Sequence, residues 1–362
     1  SLFGLAAINA ARMPIPSTTL LASNNSPFEP TCLHPYCLNK FGCSSIDEKK
    51  SYFKKMKNER PLVSIVVPIY GVELYIKQCV KSLMEQTYNN IEYIFVNDCT
   101  QDNSILILKE TIKKYNNRKY IHIINKEKNE GLPQARKTGT QHCSGEYIMH
   151  LDSDDWCELN MVEELINKAI ETKSDIVYAN FFTNDIPNQQ PTISNSTEYI
   201  KKILQMQLAA TTWSKLYKKS LFTTDIIFPT YNMHEDLVLN LQIILKAKII
   251  SHVDKPLYHY RVNPNSLTRN YNVQASIKNI ELIYQFLQTH RKDLLPSLYS
   301  FYNWVRSDRI KQGINNVGRE NIKKLFELIP EANKYIFQKE QFNNFKTQIY
   351  LYIFSIYIKY IL

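Results

Sequence analysis

The chain has 362 residues, of which 44% are hydrophobic and 22% charged, and its formal net charge is +10. This length and composition exclude a small disulfide-stabilised scaffold and are typical of a globular protein that buries a large core. The positive balance suits anionic partners, but a nucleic-acid-binding protein is disfavoured because the basic residues are dispersed and no zinc-finger, basic-zipper or RNA-binding-sheet signature is present.

Residues 1–59 are a poor match to a signal peptide, because they lack both the basic start and the unbroken apolar core. The stretch from Met56 has the pattern of a natural start followed at once by a strand, so residues 1–59 are predicted to be a disordered extension. The extension holds a cluster for which a flexible tail is the favoured interpretation and a zinc site the alternative, since the spacing misses the usual tight pairs. Its members are Cys32, His34, Cys37 and Cys43.

Four other cysteines are isolated within predicted helices and strands: Cys79, Cys99, Cys143 and Cys157. Isolated cysteines of this kind are expected to be reduced thiols, which are typical of a cytoplasmic protein.

From Leu62 onward, strand-like and helix-like segments alternate. LVSIVVPIY is predicted to be a strand buried on both faces, and IEYIFVND, YIHIIN and EYIMHLD are three more strands. Helical spacing separates them in VELYIKQCVKSLMEQ, DNSILILKETIKKYN and LPQARKTGTQHC, the second with Asp102 as N-cap. This order predicts an α/β fold with a Rossmann-like, open, mainly parallel sheet flanked by helices.

Two further strands, SDIVYANFF and IISHVDKPLYHY, complete a domain predicted over residues 60–268. Residues 269–362 are predicted to be a C-terminal helical extension, because helix-type spacing continues without strands. Its last stretch, QIYLYIFSIYIKYIL, is apolar and Tyr-rich but shorter than the roughly 20 residues that span a bilayer. This tail is predicted either to contact a membrane surface or to pack on the body as a terminal helix or strand.

Three carboxylates follow the fourth predicted strand in GEYIMHLDSDDW: Asp152, Asp154 and Asp155. Ligands of open parallel sheets bind beyond the carboxyl ends of the strands, and crowded carboxylates repel unless a cation neutralises them. Mg²⁺ or Mn²⁺ does this with one or two carboxylates and substrate phosphates. The alternative is that Ser153, Asp154 or Asp155 caps the next helix.

A second polar cluster, IFVNDCTQDNS, follows the second predicted strand. An aspartate at such a strand end can accept hydrogen bonds from a base or a ribose hydroxyl, or it can only tighten the turn. Both interpretations apply to Asp98, whereas capping accounts for Asp102. The two clusters together predict a nucleotide and a metal at one edge of the sheet.

Four ordered segments of the chain resemble the family 2 glycosyltransferases of the GT-A fold: VSIVVPIYGVELYIKQCVKSLMEQTY, IEYIFVNDCTQDNS, NEGLPQARKTG and GEYIMHLDSDDW. The resemblance continues more loosely through WSKLYKKSLF, NMHEDLVLN and PLYHYRVNPNSLT to about residue 268. It implies metal-dependent, inverting transfer of a sugar from a nucleotide-diphosphate sugar, usually a UDP-sugar, to a glycan or lipid-linked acceptor. Such an enzyme is expected in the cytoplasm, peripheral at the inner face of the membrane, in cell-surface polysaccharide synthesis.

The resemblance also implies which residues contact the nucleotide sugar. These donor-side residues are Pro68, Tyr70, Asp98, Arg136, Asp152 and Ser153. Pro68 and Tyr70 would frame the base or ribose, Asp98 would bond the base, and Arg136 would lie near the diphosphate or ribose. Asp152 and Asp154 match the two acids of the Asp-x-Asp motif, and Asp154 is the expected direct ligand of Mn²⁺ or Mg²⁺.

On the acceptor side, Asp236 in NMHEDLVLN matches the acid that serves as general base. Glu235 beside it is expected to bind the acceptor or to replace the base, and His234 has no assigned role. His259 and Arg261, in YHYRVN, are expected either to reach the acceptor or diphosphate or only to end a strand.

The chain departs from the family pattern in the second segment, where the usual Asp-Asp-Gly-Ser is replaced by NDCT. Asn97 therefore replaces an acid, and Cys99 replaces a glycine. If that glycine has a positive φ, Cys99 is strained there and base recognition differs. Gly71 stands where Asn is common, and Lys137 adds a charge after Arg136.

Other functions are less favoured by the motifs. A nucleotidyltransferase needs a Gly-rich phosphate loop after the first strand, and a Rossmann dehydrogenase needs G-x-G-x-x-G there, whereas PIYGVELY has neither. A catalytically inactive nucleotide-sugar-binding scaffold is the non-enzyme alternative. The joint presence of Asp152, Asp154 and Asp236 argues against it.

Overall fold

A computed structural model describes residues 60–115, 118, 120–263, 272–312, 317–337 and 345–360. The strands are β1 (Val63–Ile69), β2 (Ile91–Asn97), β3 (Tyr120–Asn125), β4 (Tyr147–His150), β5 (Trp156–Cys157), β6 (Ile176–Thr183), β7 (Ile186–Asn188), β8 (Lys215–Lys218) and β9 (Ile250–Tyr260). The helices are α1 (Ile76–Met84), α2 (Ser104–Ile112), α3 (Leu132–His142), α4 (Met161–Thr172), α5 (Ser196–Leu204), α6 (Glu235–Lys246), α7 (Val273–His290), α8 (Leu295–Lys311), α9 (Arg319–Glu327) and α10 (Phe345–Tyr360). The predicted extension 1–59 and its cysteine cluster lie outside the described residues.

One sheet organises the fold, with strand order β3-β2-β1-β4-β8-β6-β9-β5 and with β7 paired to β6 off this path. The first four strands in this order are parallel, and so are β6 and β9. β8 is antiparallel to β4 and β6, and β5 is antiparallel to β9. The predicted α/β sheet is therefore confirmed, with a parallel half and a mixed half. The short strands β5, β7 and β8 escape prediction because two to four residues carry too little periodicity.

The central strand β1 confirms the prediction of a strand covered on both faces, since all seven of its residues are buried. Ile65 and Val67 share a core with residues of α1 and α4 on one face. Val66 shares a smaller core with Ala135 of α3 on the other. Pro68 lies beyond Val66, the last β1 residue that pairs with β4, so its missing N–H interrupts no bond to that strand.

Two glycines of the α3 segment occupy positions that leave no room for a side chain, and Gly139 brings the helix very close to the sheet. A Cβ atom on Gly139 would lie 2.3 Å from Val66 Cγ1, so only glycine permits this approach. Gly131, which precedes the helix at φ +87°, leaves no room either, because its Cβ would lie 2.7 Å from Asn232 Oδ1. The position of Arg136 along α3 is therefore fixed by the packing of the helix.

The C-terminal helices share a core with the second half of the sheet. Tyr178 of β6, Ile283 of α7 and Phe301 of α8 belong to one buried cluster. The described residues from Leu62 onward form one compact unit, and the predicted boundary near residue 268 stays a prediction. Within the described ranges, no helix is both long enough and apolar enough to cross a bilayer.

Candidate active site

A cleft of about 580 Å³ opens beyond the carboxyl ends of β1, β2 and β4 and next to the first turns of α3 and α6. Every residue predicted for the site lines it except His259. The predicted residues that line it are Pro68, Tyr70, Asp98, Arg136, Asp152, Ser153, Asp154, Glu235, Asp236 and Arg261. Segments distant in sequence therefore converge on one cavity, as the parallel half of the sheet requires.

The two acids of the Asp-x-Asp segment lie in different surroundings. Asp152 accepts a hydrogen bond from Arg136 Nη2 at 2.6 Å. Burial and the neighbouring charge of Asp152 raise the pKa of Asp154 to about 6. Ser153 between them is buried. The fold thus places the cation Arg136 against Asp152 and leaves the charge of Asp154 less compensated.

Asp155 has a structural role that the sequence does not predict. It is 1% exposed and accepts hydrogen bonds from the Tyr258 hydroxyl at 2.7 Å and from the backbone N–H of Arg261 at 2.8 Å. The next helix, α4, begins only at Met161, so the interpretation that this cluster caps it is wrong. Asp155 instead ties the end of β4 to the end of β9.

Arg136 links the donor side of the cleft to the side that carries the predicted base. Its Nη2 contacts Asp152 at 2.6 Å and its Nη1 contacts Asp236 at 2.6 Å, while Glu235 lies 3.9 Å from Nη1. Burial disfavours the charged guanidinium, but the three carboxylates outweigh it and raise the pKa of Arg136. Arg136 therefore stays a cation and holds both acids in place.

Asp98 supports the loop from which α3 begins. Its carboxylate accepts the backbone N–H groups of Glu130 at 3.1 Å and Gly131 at 2.8 Å, and it pairs with Lys126 Nζ at 2.8 Å. The side chain is buried yet lines the cleft. The turn-tightening interpretation of Asp98 therefore has a direct structural basis, and contact with a base stays a prediction.

His259 and Arg261 diverge although they are two residues apart. The His259 ring stacks on Trp156 at 4.7 Å and on Phe182 at 4.4 Å between ring centroids, and its Nε2 contacts Glu158 at 2.7 Å, outside the cleft. Arg261 lines the cleft, and its guanidinium bonds the carbonyl of Asp154 at 3.0 Å. A packed position at the end of a strand accounts for His259, whereas Arg261 remains a candidate site residue.

The position at which NDCT replaces a glycine has a positive φ. Cys99 adopts φ +61°, a left-handed conformation that a non-glycine side chain strains. Its loop is tied down, since Thr100 donates its N–H to Asn97 Oδ1 at 2.9 Å and Gly71 donates its N–H to Thr100 Oγ1 at 2.9 Å. The condition stated for Cys99 is therefore met, Asn97 acts in this turn, and altered recognition of the base stays a prediction.

The neighbouring acids at the start of α6 are not equivalent. Burial and the charge of Asp236 raise the pKa of Glu235 well above its usual range. Asp236 instead pairs directly with Arg136, at 2.6 Å from Nη1.

A loop missing from the sequence prediction orients Asp236. Thr212 donates its backbone N–H to Asp236 Oδ2 at 3.2 Å and its hydroxyl to Oδ1 at 3.1 Å. The preceding carbonyl of Thr211 accepts the buried amine of Lys215 at 2.5 Å and the amide of Asn240 at 3.1 Å. These hydrogen bonds hold the loop in place. The loop lies directly before β8, whose sequence segment matches the family only loosely.

The C-terminal extension forms part of the cleft wall, which sequence reasoning also misses. Trp304, Val305 and Arg309 of α8 line the cavity together with Glu235 and Asp236. These residues belong to a region that matches no motif, so no signal in the sequence marks them.

Comparisons with known proteins identify the family. The model of the family described as Glycosyl transferase family 2 matches residues 64–225. The uncharacterized glycosyltransferase EpsJ of Bacillus subtilis (strain 168) is 34% identical over 238 residues, which are 62% of this chain and 68% of EpsJ. The chain belongs to glycosyltransferase family 2.

Two further comparisons extend this assignment. The minor teichoic acid biosynthesis protein GgaB of B. subtilis is 29% identical over 222 residues, 59% of this chain and 24% of GgaB. The crystal structure of S. aureus TarS 1-349 in complex with UDP-GlcNAc superimposes with a TM-score of 0.63 at 20% identity, covering 76% of this chain and 81% of that one. The structural likeness confirms the GT-A fold of this family 2 glycosyltransferase.

The acids of the cleft fit a divalent ion that a donor would help to hold. Among the described residues, no group of three or more His, Cys, Asp or Glu side chains is arranged to bind a metal alone. Asp152 and Asp154 nevertheless both line the cleft, and Mg²⁺ and Mn²⁺ commonly take one or two carboxylates plus substrate phosphates. The set of oxygen donors is therefore suitable, with Asp154 as the acid less occupied by Arg136.

Replacing Thr212 by Val is expected to lower kcat by about tenfold or more, because one hydrogen bond to the charged Asp236 is lost. Thr212→Ser is the matched control and should stay within about threefold of the native enzyme, since it retains the hydroxyl. Steady-state kinetics with a varied donor separate kcat from KM. Equal losses in both variants would contradict a positioning role for the hydroxyl.

Proposed function

We propose that this glycosyltransferase moves a sugar, with inversion, from a nucleotide-diphosphate sugar to a hydroxyl of a glycan or lipid-linked acceptor. The observation that carries the proposal is the pair of 2.6 Å contacts by which Arg136 joins Asp152 to Asp236. A single guanidinium thus joins the first acid of the Asp-x-Asp segment to the expected base within one cavity. An inverting displacement needs a base for the acceptor and a site for the leaving diphosphate in the same cavity, because the acceptor attacks the carbon from which the diphosphate departs.

The donor side suits a uridine nucleotide. Tyr70 is 53% exposed at the mouth of the cleft, where its ring can pack on a base. Pro68 offers its backbone beside it, and Asp98 lies within reach. UDP-GlcNAc is bound by TarS, which shares the fold, and this supports a UDP-sugar as donor here.

Asp154 and Asp152 would hold Mn²⁺ or Mg²⁺ together with the donor diphosphate. When bound, such an ion stabilises negative charge on the leaving diphosphate. The chain's own contribution is Arg136, which is buried beside Asp152 and supplies a fixed positive charge to the same oxygens. Ser153, between the two acids, is within the same cavity wall.

Asp236 acts as the general base. It takes the proton of the acceptor hydroxyl while that oxygen bonds the anomeric carbon and the bond from this carbon to the diphosphate oxygen breaks. Protonation of Asp236 weakens its hold on Arg136, so the guanidinium can interact more strongly with the departing diphosphate. Glu235, which lines the cleft beside Asp236, is placed to bind a hydroxyl of the acceptor.

The C-terminal tail would bring the enzyme to a lipid-linked acceptor at the inner face of a membrane. On α10, Leu351 is buried while Tyr350, Tyr352 and Ile353 are about half exposed. Leu351 belongs to a buried cluster with Ile322 and Phe326 of α9, so this helix packs on the body and leaves an apolar, Tyr-rich face outward. The net charge of +10 suits an anionic bilayer surface. The sequence likeness to GgaB, a teichoic acid biosynthesis protein, supports a role in cell-surface polymer synthesis.

Asp236→Asn is expected to lower sugar transfer by about a hundredfold or more, because the base is lost. Glu235→Gln, the matched control, makes the same change at the neighbouring acid and should change transfer by less than about tenfold at pH 7, because it leaves the base in place. Transfer is followed by release of UDP, and donor binding by calorimetry. A fully active Asp236→Asn variant would refute the base.

Asp154→Asn should weaken Mn²⁺-dependent binding of UDP by about tenfold or more, since a charged ligand is removed. Calorimetric titration of UDP with Mn²⁺ and with a chelator measures this effect apart from turnover. Asp155→Asn is the control, because Asp155 contacts Tyr258 rather than the cleft. UDP binding that is indifferent to Mn²⁺ in the native protein would refute the metal assignment.

Ile353→Asp should reduce binding to anionic phosphatidylglycerol vesicles by about tenfold, because it removes apolar area from the outward face of α10. Ile186→Asp is the control, since Ile186 is an exposed apolar residue of β7, at 62%. Vesicle co-sedimentation is the measurement. Equal binding by both variants would contradict membrane contact through the tail.

A further inference from the structure

The wall formed by α8 lies beside the proposed base. Trp304, Val305 and Arg309 line the same cavity as Asp236. The charge of Arg309 helps to lower the pKa of His234, which precedes the two acids of α6, after the larger effect of burial. Arg309 is therefore near the base side of the cleft. An acceptor hydroxyl that reaches Asp236 must lie against this wall.

The exposed part of the wall is aromatic and apolar. Trp304 is partly exposed into the cavity, and its ring packs on Phe301 with centroids 6.2 Å apart. Val305 next to it is 1% exposed and closes the surface. The electron-rich face of an indole attracts the slightly positive C–H edges of a sugar ring. This surface suits one face of a glycosyl unit.

The cationic side chains of the wall are already engaged. Arg309 is 1% exposed, bonds Gln312 Oε1 through Nη1 at 2.8 Å, and pairs with Asp308 through Nη2. Burial lowers the pKa of His234 to about 3, with a smaller contribution from Arg309, so this imidazole is neutral at physiological pH. The wall therefore brings no uncommitted positive charge toward an acceptor.

The rest of the base side is acidic. Arg136 is shared between Asp236 and Asp152, and both of its terminal nitrogens contact carboxylates at 2.6 Å. Among the described residues on this side of the cleft, the cations Arg136 and Arg309 are already paired with acids, so a phosphate or carboxylate on the acceptor would approach the Asp236 carboxylate with little to offset the repulsion. Like charges brought together in this way repel, which disfavours an anionic acceptor.

We infer that α8 forms the acceptor subsite and that this subsite takes an uncharged glycosyl unit, packed on Trp304, in preference to an anionic one such as a sugar phosphate. The inference rests on the proposed function, because it places the acceptor hydroxyl at Asp236. It names the substrate class on the acceptor side and assigns specificity to Trp304.

The experiment uses the whole chain with a UDP-sugar donor, Mn²⁺ and matched pairs of aryl glycosides, each uncharged glycoside being paired with its 6-phosphate. The uncharged member should have the higher kcat/KM by about tenfold or more. Trp304→Ala should raise the acceptor KM by about tenfold relative to the donor KM, and Trp304→Phe should restore most of this loss. Calorimetric UDP binding shows that each variant is folded.

Equal or better use of the phosphorylated glycosides would overturn the inference, and this comparison needs no variant. An acceptor KM unchanged in Trp304→Ala would overturn the assignment of Trp304. Turnover of the UDP-sugar by the native enzyme, measured with acceptor and as hydrolysis without it, separates failure of the proposed function from failure of the subsite. If the native enzyme turns over no donor in either assay, the proposed function is refuted. If it turns over donor but prefers phosphorylated acceptors, only the subsite is refuted.

Discussion

One buried arginine shared by two carboxylates holds this active site together. Arg136 is 1% exposed, and its two terminal nitrogens each lie 2.6 Å from an acid. Burying a guanidinium is unfavourable unless it is paired, and removing one partner of such a pair typically costs about 3–5 kcal/mol. The acids depend on it equally, since the charges of Asp152 and Asp236 would otherwise repel each other without an intervening cation. The charges of Asp152 and of the proposed base Asp236 are thus coupled through one guanidinium.

The fold sets the position of this arginine through backbone contacts rather than through its side chain. Gly139 allows α3 to lie against Val66, and Asp98 holds the N–H groups at the start of the helix. The strained Cys99 lies in the adjoining turn. Asp98, which resembles a nucleotide contact in the sequence, therefore also helps to position Arg136. This structural role explains why its carboxylate is buried.

The parallel half of the fold could be predicted from the sequence because β1 to β4 are apolar runs separated by helical spacing. The acids at their ends follow from the same pattern, since a strand that ends in carboxylates has few structural explanations. Asp155, Thr212 and Trp304 could not be assigned in this way. Their roles depend on partners in other elements, such as Tyr258 for Asp155 and Asp236 for Thr212. Residue type and spacing carry no information about such pairings.

The reversed direction of β8 changes where functional residues are to be sought on this sheet. Met149 near the end of β4 pairs with Leu216 at the beginning of β8, so the residues that enter β8 lie at the edge where the parallel strands finish. Thr212 reaches Asp236 for this reason. In a mixed sheet, the segment leading into an antiparallel strand shares the ligand-binding edge with the segments that leave its parallel neighbours. A short antiparallel strand thus brings one more loop to the edge of the cavity.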